Sequence, residues 1–345
     1  RNIGLDVKGA LAATFGITAL VYGIIQGSEA GWTSLEIVGS FALASVLLVV
    51  FAQVERTAEH PMLPLHFFKQ KDFSGAVLVL GLAFFSAIVV FFFLVQYFQL
   101  IQGRSPFETG LMVLPNAGAI VLAAGIAQWA LPKFGPRSIV SIGVSIMALG
   151  VILFTTVDEG TAALSSIGYI MVFGFGFGLA SQPLTDTVMA AVPIEDAGIG
   201  SAVNDVSREL GSALGIAILG SIVSSFYRSN IETELAGQVP DELIEVAGEG
   251  LGVLGVAAQQ LEPDVAATLV SGANTAFIDA MTAGFWLSAG FLGIGVLTSL
   301  FLLPKRSRED QVIRDEPSVI DVPQGFQPDF LMIPGTTEDK ERAGV

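Results

Sequence analysis

The sequence predicts an all-α membrane protein with eight transmembrane helices. Of its 345 residues, 52% are hydrophobic and only 14% charged, with mean hydropathy +0.69, a balance that a soluble domain of this length does not need. Eight apolar runs also reach the roughly 18 residues required to cross a bilayer. They lie at 9–27, 34–53, 73–98, 107–131, 138–157, 163–191, 197–226 and 273–303. Basic residues then alternate between the connecting loops. With the start of the chain counted as inside, the inner loops carry Arg56, Lys69, Lys71, Lys133 and Arg137, and the exit from the last run carries Lys305, Arg306 and Arg308. The outer loops carry only Arg104 and Arg228, so both ends of this segment are expected in the cytoplasm.

The runs divide the chain into a helical pair at 1–53, a basic loop at 54–72, six helices over 73–303 and a polar tail at 304–345. The one long outer loop, 227–272, holds eight acidic residues against one base; they include Glu232, Glu234, Asp241, Glu242 and Glu245. Amphipathic runs near 231–236 and 243–270 are expected to lie on the outer surface as a solvated acidic cap. The tail VIRDEPSVIDVPQGFQPDF lacks helical periodicity and reads as disordered. A net charge of −16 argues against a nucleic-acid partner, and the absence of cysteine removes disulfides and thiolate chemistry. The chain opens on Arg1, and no small-residue cleavage site follows the first run, so an internal start within a longer protein is expected.

Enzyme signatures are weak. His60 and His66 are separated by five residues, Pro61 and Pro64 among them, which fits no common zinc spacing. The GFGFG run lies inside an apolar span, the wrong context for phosphate. We expect no metal, no cofactor and no catalysis. Glycines instead point to packing: Gly174, Gly176 and Gly178, then Gly211, Gly215 and Gly220, supply small faces that include two Gly-x-x-x-Gly spacings. Pro115 and Pro183 bend the spans that contain them.

Candidate functional groups are the polar residues in these spans. Asp205, Arg208 and Glu209 open the run at 197–226, and the 17 uncharged residues from Leu210 to Phe226 place them at its inner edge, near Asp186. Neutralisation of Arg208 by Asp186, Asp205 or Glu209 would form an inner latch. On the outer side Glu108 and Asp279 each begin a span and are candidate protonatable groups, while helix-dipole stabilisation alone would also explain them. Gln96, Tyr97, Gln99 and Asn116, with Phe84, Phe85, Phe91 to Phe93 and Trp129, are candidates for a substrate path open to apolar cations.

The stretch PLTDTVMAAVPIEDAGIGSAVNDVSRELGSALGIAILGSI resembles the penultimate-helix signature of the fourteen-helix drug:proton antiporter branch of the major facilitator superfamily. VERTAEHPMLPLHFFKQKDF, YFQLIQGRSPFETGLMVLP and LPKFGPRSIVSIG support that resemblance. It implies that the first two spans are a linker pair and that the next six form the C-terminal bundle, with the N-terminal six-helix half and its proton-coupling acids outside this chain. Asp205, Arg208 and Gly211 match the signature, with Asn204, Glu209 and Gly215 beside them, and Gly135 and Arg137 match a basic inner turn that helps set gating. Glu108 stands where relatives often carry a small or uncharged residue. The implied activity is proton-coupled export of amphipathic or cationic drugs by alternating access in a bacterial plasma membrane. Its partners would be the lipid bilayer, protons, a small substrate and the six-helix half. An exporter of one endogenous metabolite and a non-transporting structural or regulatory subunit are the alternatives.

Overall fold

The structure is a computed structural model, and it describes residues 7–57, 65–222, 226–248, 250–252, 254 and 261–306. The expected disordered tail beyond residue 306 and His60 lie outside the described residues. The helices are α1 (Val7–Ala30), α2 (Leu35–Thr57), α3 (Lys71–Gln96), α4 (Pro106–Phe154), α5 (Ala163–Ala190), α6 (Ala197–Ile222), α7 (Arg228–Leu235), α8 (Asp241–Gly248) and α9 (Pro263–Leu302). A π-helical turn, Tyr97–Ile101, extends α3.

Six helical stretches are long and apolar enough to cross a membrane: Lys8–Gly27, α2, Lys71–Ile101, α4, α5 and α9. At 49 residues α4 would be about 73 Å long, more than twice the roughly 30 Å hydrocarbon core. Gly135 divides it, with φ 75° and ψ 163°, a region that is essentially closed to residues with a Cβ. Pro136 restarts the helix, since its fixed φ suits a first helical position and its missing N–H would have no intrahelical partner there. Each arm of α4 is of crossing length, and α6 is 26 residues long.

Two expectations are corrected between α6 and α9. The last helix begins at Pro263 rather than 273, because Pro263 at its first turn and Asp264 behind it make a favourable start. The expected amphipathic run over 243–270 is accordingly split, with α8 ending at Gly248 and α9 starting at Pro263. These segments join the main hydrophobic core, in which Ile231, Leu235, Ala247, Leu254 and Leu269 are buried.

The tightest packing joins α5 to both arms of α4. Successive glycines at 174, 176 and 178 point alternately to opposite sides of α5, because a helix turns about 100° per residue. A Cβ at Gly174 would stand 2.7 Å from the Asn116 amide carbon, and one at Gly178 would stand 2.9 Å from the Ile120 carbonyl carbon, both on the first arm. A Cβ at Gly176 would stand 2.5 Å from the Gly143 carbonyl oxygen on the second arm. The second arm answers with Gly143 against Ala180 and Gly150 against Phe173. Backbones approach this closely only where both helices present small residues, the arrangement that lipid, which offers no hydrophobic drive between helices, favours.

Elsewhere α6 lies on α3 through Gly211 and Gly215, where a Cβ on Gly211 would stand 2.9 Å from the Gly81 carbonyl carbon. Helix α9 lies on α3 through aromatic contacts, Phe85 with Phe291 at 4.8 Å and Phe93 with Phe285 at 5.7 Å. Ser141 and Ser299 share a buried 2.6 Å hydrogen bond between the second arm of α4 and α9. The α1–α2 hairpin turns at Gly31 and is tied by Ser40 Oγ donating to the Ala19 carbonyl at 2.5 Å and by a Tyr22–Glu36 hydrogen bond. Its α1 packs on α6, while α2 leaves Leu35, Val38, Leu43, Val46 and Val49 exposed, a face suited to lipid.

Gly176→Ala is expected to lower stability by about 1–3 kcal/mol through overpacking. Gly125→Ala, on the same bundle but with open space at its Cβ, is expected to be neutral or slightly stabilising. Thermal unfolding of the two variants in detergent checks the contrast.

Candidate functional site

The start of α3, the Gly135 turn and the exit of α9 meet at one end of the bundle. Gly75 packs on Leu302, and a Cβ on Gly135 would stand 2.8 Å from the Lys305 carbonyl carbon. Lys69, Lys71, Lys133, Arg137, Lys305 and Arg306 therefore share this end. Arg137 donates from Nε to the Leu303 carbonyl at 2.8 Å, and its backbone N–H reaches the Pro304 carbonyl at 3.2 Å. The turn thus satisfies carbonyls that the last helix leaves unpaired, and its positive charge sits at the negative end of that helix. At the same end Trp129 holds the Lys133 ammonium 3.5 Å from its ring, so this tryptophan does not join the aromatic residues of α3.

Between α3, α5 and α6 lies a gallery of half-buried polar and aromatic side chains. Arg208 donates from Nη2 to Thr185 Oγ1 at 3.1 Å and stands 5.2 Å from the Phe84 ring centre. Thr185 passes its own proton towards Asn204 Oδ1 at 3.2 Å. Phe84 meets Phe177 edge-on at 5.3 Å, and Phe177 stacks with Phe173 at 6.4 Å. Asp186 accepts from Gln182 Nε2 at 2.9 Å. The expected Arg208–Asp186 latch is therefore replaced by an Arg208–Thr185 bond, since helical register turns Thr185, one position earlier, towards α6. Asp205 and Glu209 are exposed on α6. Arg208 stands about three turns into α6, which begins at Ala197.

At the opposite end Tyr97, one of the candidate path residues, is put to structural use. Tyr97 is fully buried; its hydroxyl donates to the Asp158 carbonyl at 2.8 Å and accepts from Gln102 Nε2 at 3.0 Å, and the same nitrogen reaches the Thr161 carbonyl at 3.0 Å. This network pins the π-helical end of α3 to the loop before α5. Gln96 and Gln99 beside it are half-buried. Asn116 is buried and wedged against Gly174, with its Oδ1 lacking a hydrogen-bond partner. Glu108 is exposed and closes a capping box: its carboxylate accepts from Ser105 N and Oγ, each at 2.9 Å, while Ser105 Oγ accepts from Glu108 N at 3.2 Å.

Asp279 does not begin a helix. It lies about 24 Å along α9 from Pro263, exposed, so the helix-dipole argument does not apply to it. Outside the spans, Tyr227 donates to the Ala247 carbonyl at 3.0 Å and Arg228 Nε reaches the Gly248 carbonyl at 3.3 Å, together capping α8. Burial raises the Tyr227 phenol above the usual tyrosine range, so it remains a neutral donor.

Residues 7–216, more than half of the chain, match the model of the Major Facilitator Superfamily. The chain belongs to that superfamily. This is a family of transporters rather than enzymes, and the chain is a multi-pass membrane protein. It is similar to multidrug resistance protein Stp of Mycobacterium tuberculosis, 30% identical over 236 residues, which are 68% of this chain and 44% of Stp. It is likewise 30% identical over 238 residues to the multidrug efflux pump LfrA of Mycolicibacterium smegmatis, covering 69% of this chain and 47% of LfrA. With multidrug transporter protein MdtP of Bacillus subtilis it shares 25% identity over 333 residues, 90% of this chain and 61% of MdtP. The chain thus spans about half the length of the curated relatives it matches.

Thr185, Phe177 and Leu303 were not singled out from the sequence. Thr185 adjoins Asp186 and Phe177 is the last phenylalanine of the FGFGFG run, but their roles depend on register across three helices. Arg137→Gln and Gly135→Ala are expected to free the α9 exit and speed tryptic cleavage after Lys305 or Arg306 by roughly tenfold or more, the worth of a charged hydrogen bond or a closed backbone region. Timed limited proteolysis of the detergent-solubilised protein checks this. Tyr97→Phe is expected to lower stability by about 1 kcal/mol, as read by thermal unfolding.

Proposed function

We propose that the full-length protein is a secondary active drug exporter of a bacterial plasma membrane, driven by proton entry through alternating access. The observation that carries this reading is the membership of residues 7–216 in a transporter family whose similar members are named for drug export. The basic end faces the cytoplasm on this reading, following the positive-inside rule. The α1–α2 hairpin acts as a linker pair, and the bundle from α3 to α9 supplies one wall of a midplane site.

The Gly135–Arg137 turn and the α9 exit form the cytoplasmic gate, with Asp186, Asn204, Asp205 and Glu209 on the facing ends of α5 and α6. Rocking requires α6 to shift against α3 along the Gly211–Gly81 contact, and coupling requires protonation and substrate to favour different states. Proton-coupling acids lie, on this reading, in the N-terminal six-helix half. Glu108 serves the helix cap.

Expression of the full-length protein in bacteria stripped of their own exporters tests the reading. Ethidium is expected to leave the cells faster than from vector controls, and a protonophore is expected to abolish the difference. Efflux equal to the control for ethidium and for a panel of other amphipathic drugs would sink it, while export of a single compound would favour a narrow-substrate exporter. Gly211→Val is expected to slow export by roughly tenfold or more, because overpacking of about 1–3 kcal/mol falls on the contact that must move.

A further inference from the structure

Arg208 carries a charge that the described residues leave without a carboxylate. Its one hydrogen bond there goes to the Thr185 hydroxyl at 3.1 Å, and its Nε–H is buried with no acceptor. The acidic residues beside it in sequence, Asp205 and Glu209, are exposed, and Asp186 accepts from Gln182. A half-buried guanidinium held against an aromatic face has given up part of its hydration without a paired charge, so its retention points to a use. The guanidinium is a planar fork with spare N–H donors, matched to the paired oxygens of a carboxylate, sulfonate or phosphate.

The surroundings narrow the ligand further. The guanidinium lies 5.2 Å from the Phe84 ring centre, Phe84 meets Phe177, and Phe177 stacks with Phe173, so one aromatic wall runs directly from the charge. Phe84, Phe177, Thr185 and Arg208 are all only half-buried, which leaves this part of the wall accessible, while Phe173 and Asn204 are buried behind it. A flat apolar body would lie on the rings, with Thr185 and Asn204 as the polar edge.

We propose that Arg208 anchors the acidic group of a transported amphiphile, so that the gallery between α3, α5 and α6 admits aromatic anions and zwitterions beside the cations that the exporter takes. This rests on the exporter reading and deepens it. A carboxylate contributed by another segment of the full-length chain would give the guanidinium an internal partner instead, and the experiment separates the two.

Rhodamine B carries a free carboxylate, and its ethyl ester is the same dye with that charge removed. Binding of each to the purified full-length protein is read by fluorescence polarisation, and export of each from cells is followed in parallel. Arg208→Gln is expected to weaken the acid at least tenfold more than the ester, and Arg208→Lys, which keeps the charge, to restore most of that ratio. Equal weakening of both dyes, or no change in the ratio, would assign Arg208 to structure or to an internal acid and overturn the proposal. If the parent protein handles the ester alone, the proposal fails while the exporter reading stands; if it neither binds nor exports either dye, both fail.

Discussion

The fold depends on backbone contact between α5 and the two arms of α4. Inside a bilayer the apolar surfaces of helices gain nothing from meeting one another rather than lipid, so association rests on close van der Waals packing. Three glycines in alternate positions let one helix present a bare backbone to two neighbours at once, and Gly143 and Gly150 on the second arm reciprocate. The α3–α6 contact repeats the device at Gly81 and Gly211, whereas α3 and α9 interlock through phenylalanines. The bundle therefore combines glycine seams, which are thin and smooth, with one aromatic seam that resists sliding. Smooth seams on either side of the gallery suit a molecule in which helices shift.

The second constraint is the obligation to satisfy backbone groups away from water. At the basic end the carbonyls of Leu303 and Pro304 are taken by Arg137, which brings its turn onto the exit of α9. At the other end Tyr97 and Gln102 serve the carbonyls of Asp158 and Thr161. Both junctions join segments remote in sequence, and each uses a polar residue in a largely apolar stretch. In this fold Tyr97 and Arg137 act as clasps for neighbouring segments.

Arg208 stands apart from those clasps. Tyr97, Glu108 and Arg137 meet complementary partners in the described structure, whereas the Arg208 guanidinium meets one hydroxyl and an aromatic face. The difference separates polar residues whose purpose is met within the fold from one whose donors remain available.

The sequence by itself determined that the chain is helical and membrane-spanning, that its basic loops belong to one end, and that it resembles a drug-exporting branch, because hydropathy, charge and glycine spacing are properties of local segments. The Gly-x-x-x-Gly pairs and the importance of the Gly135–Arg137 turn were legible for the same reason: both are short patterns with a local backbone meaning. Tertiary structure alone decided what each polar side chain meets. The choice of Thr185 over Asp186 as the partner of Arg208 turns on about 100° of helical rotation. The start of α9 at Pro263 and the wedging of Asn116 against Gly174 likewise depend on neighbours distant in the chain. Helix existence follows from composition within one segment, but side-chain partnership follows from the register between segments, which no single segment encodes.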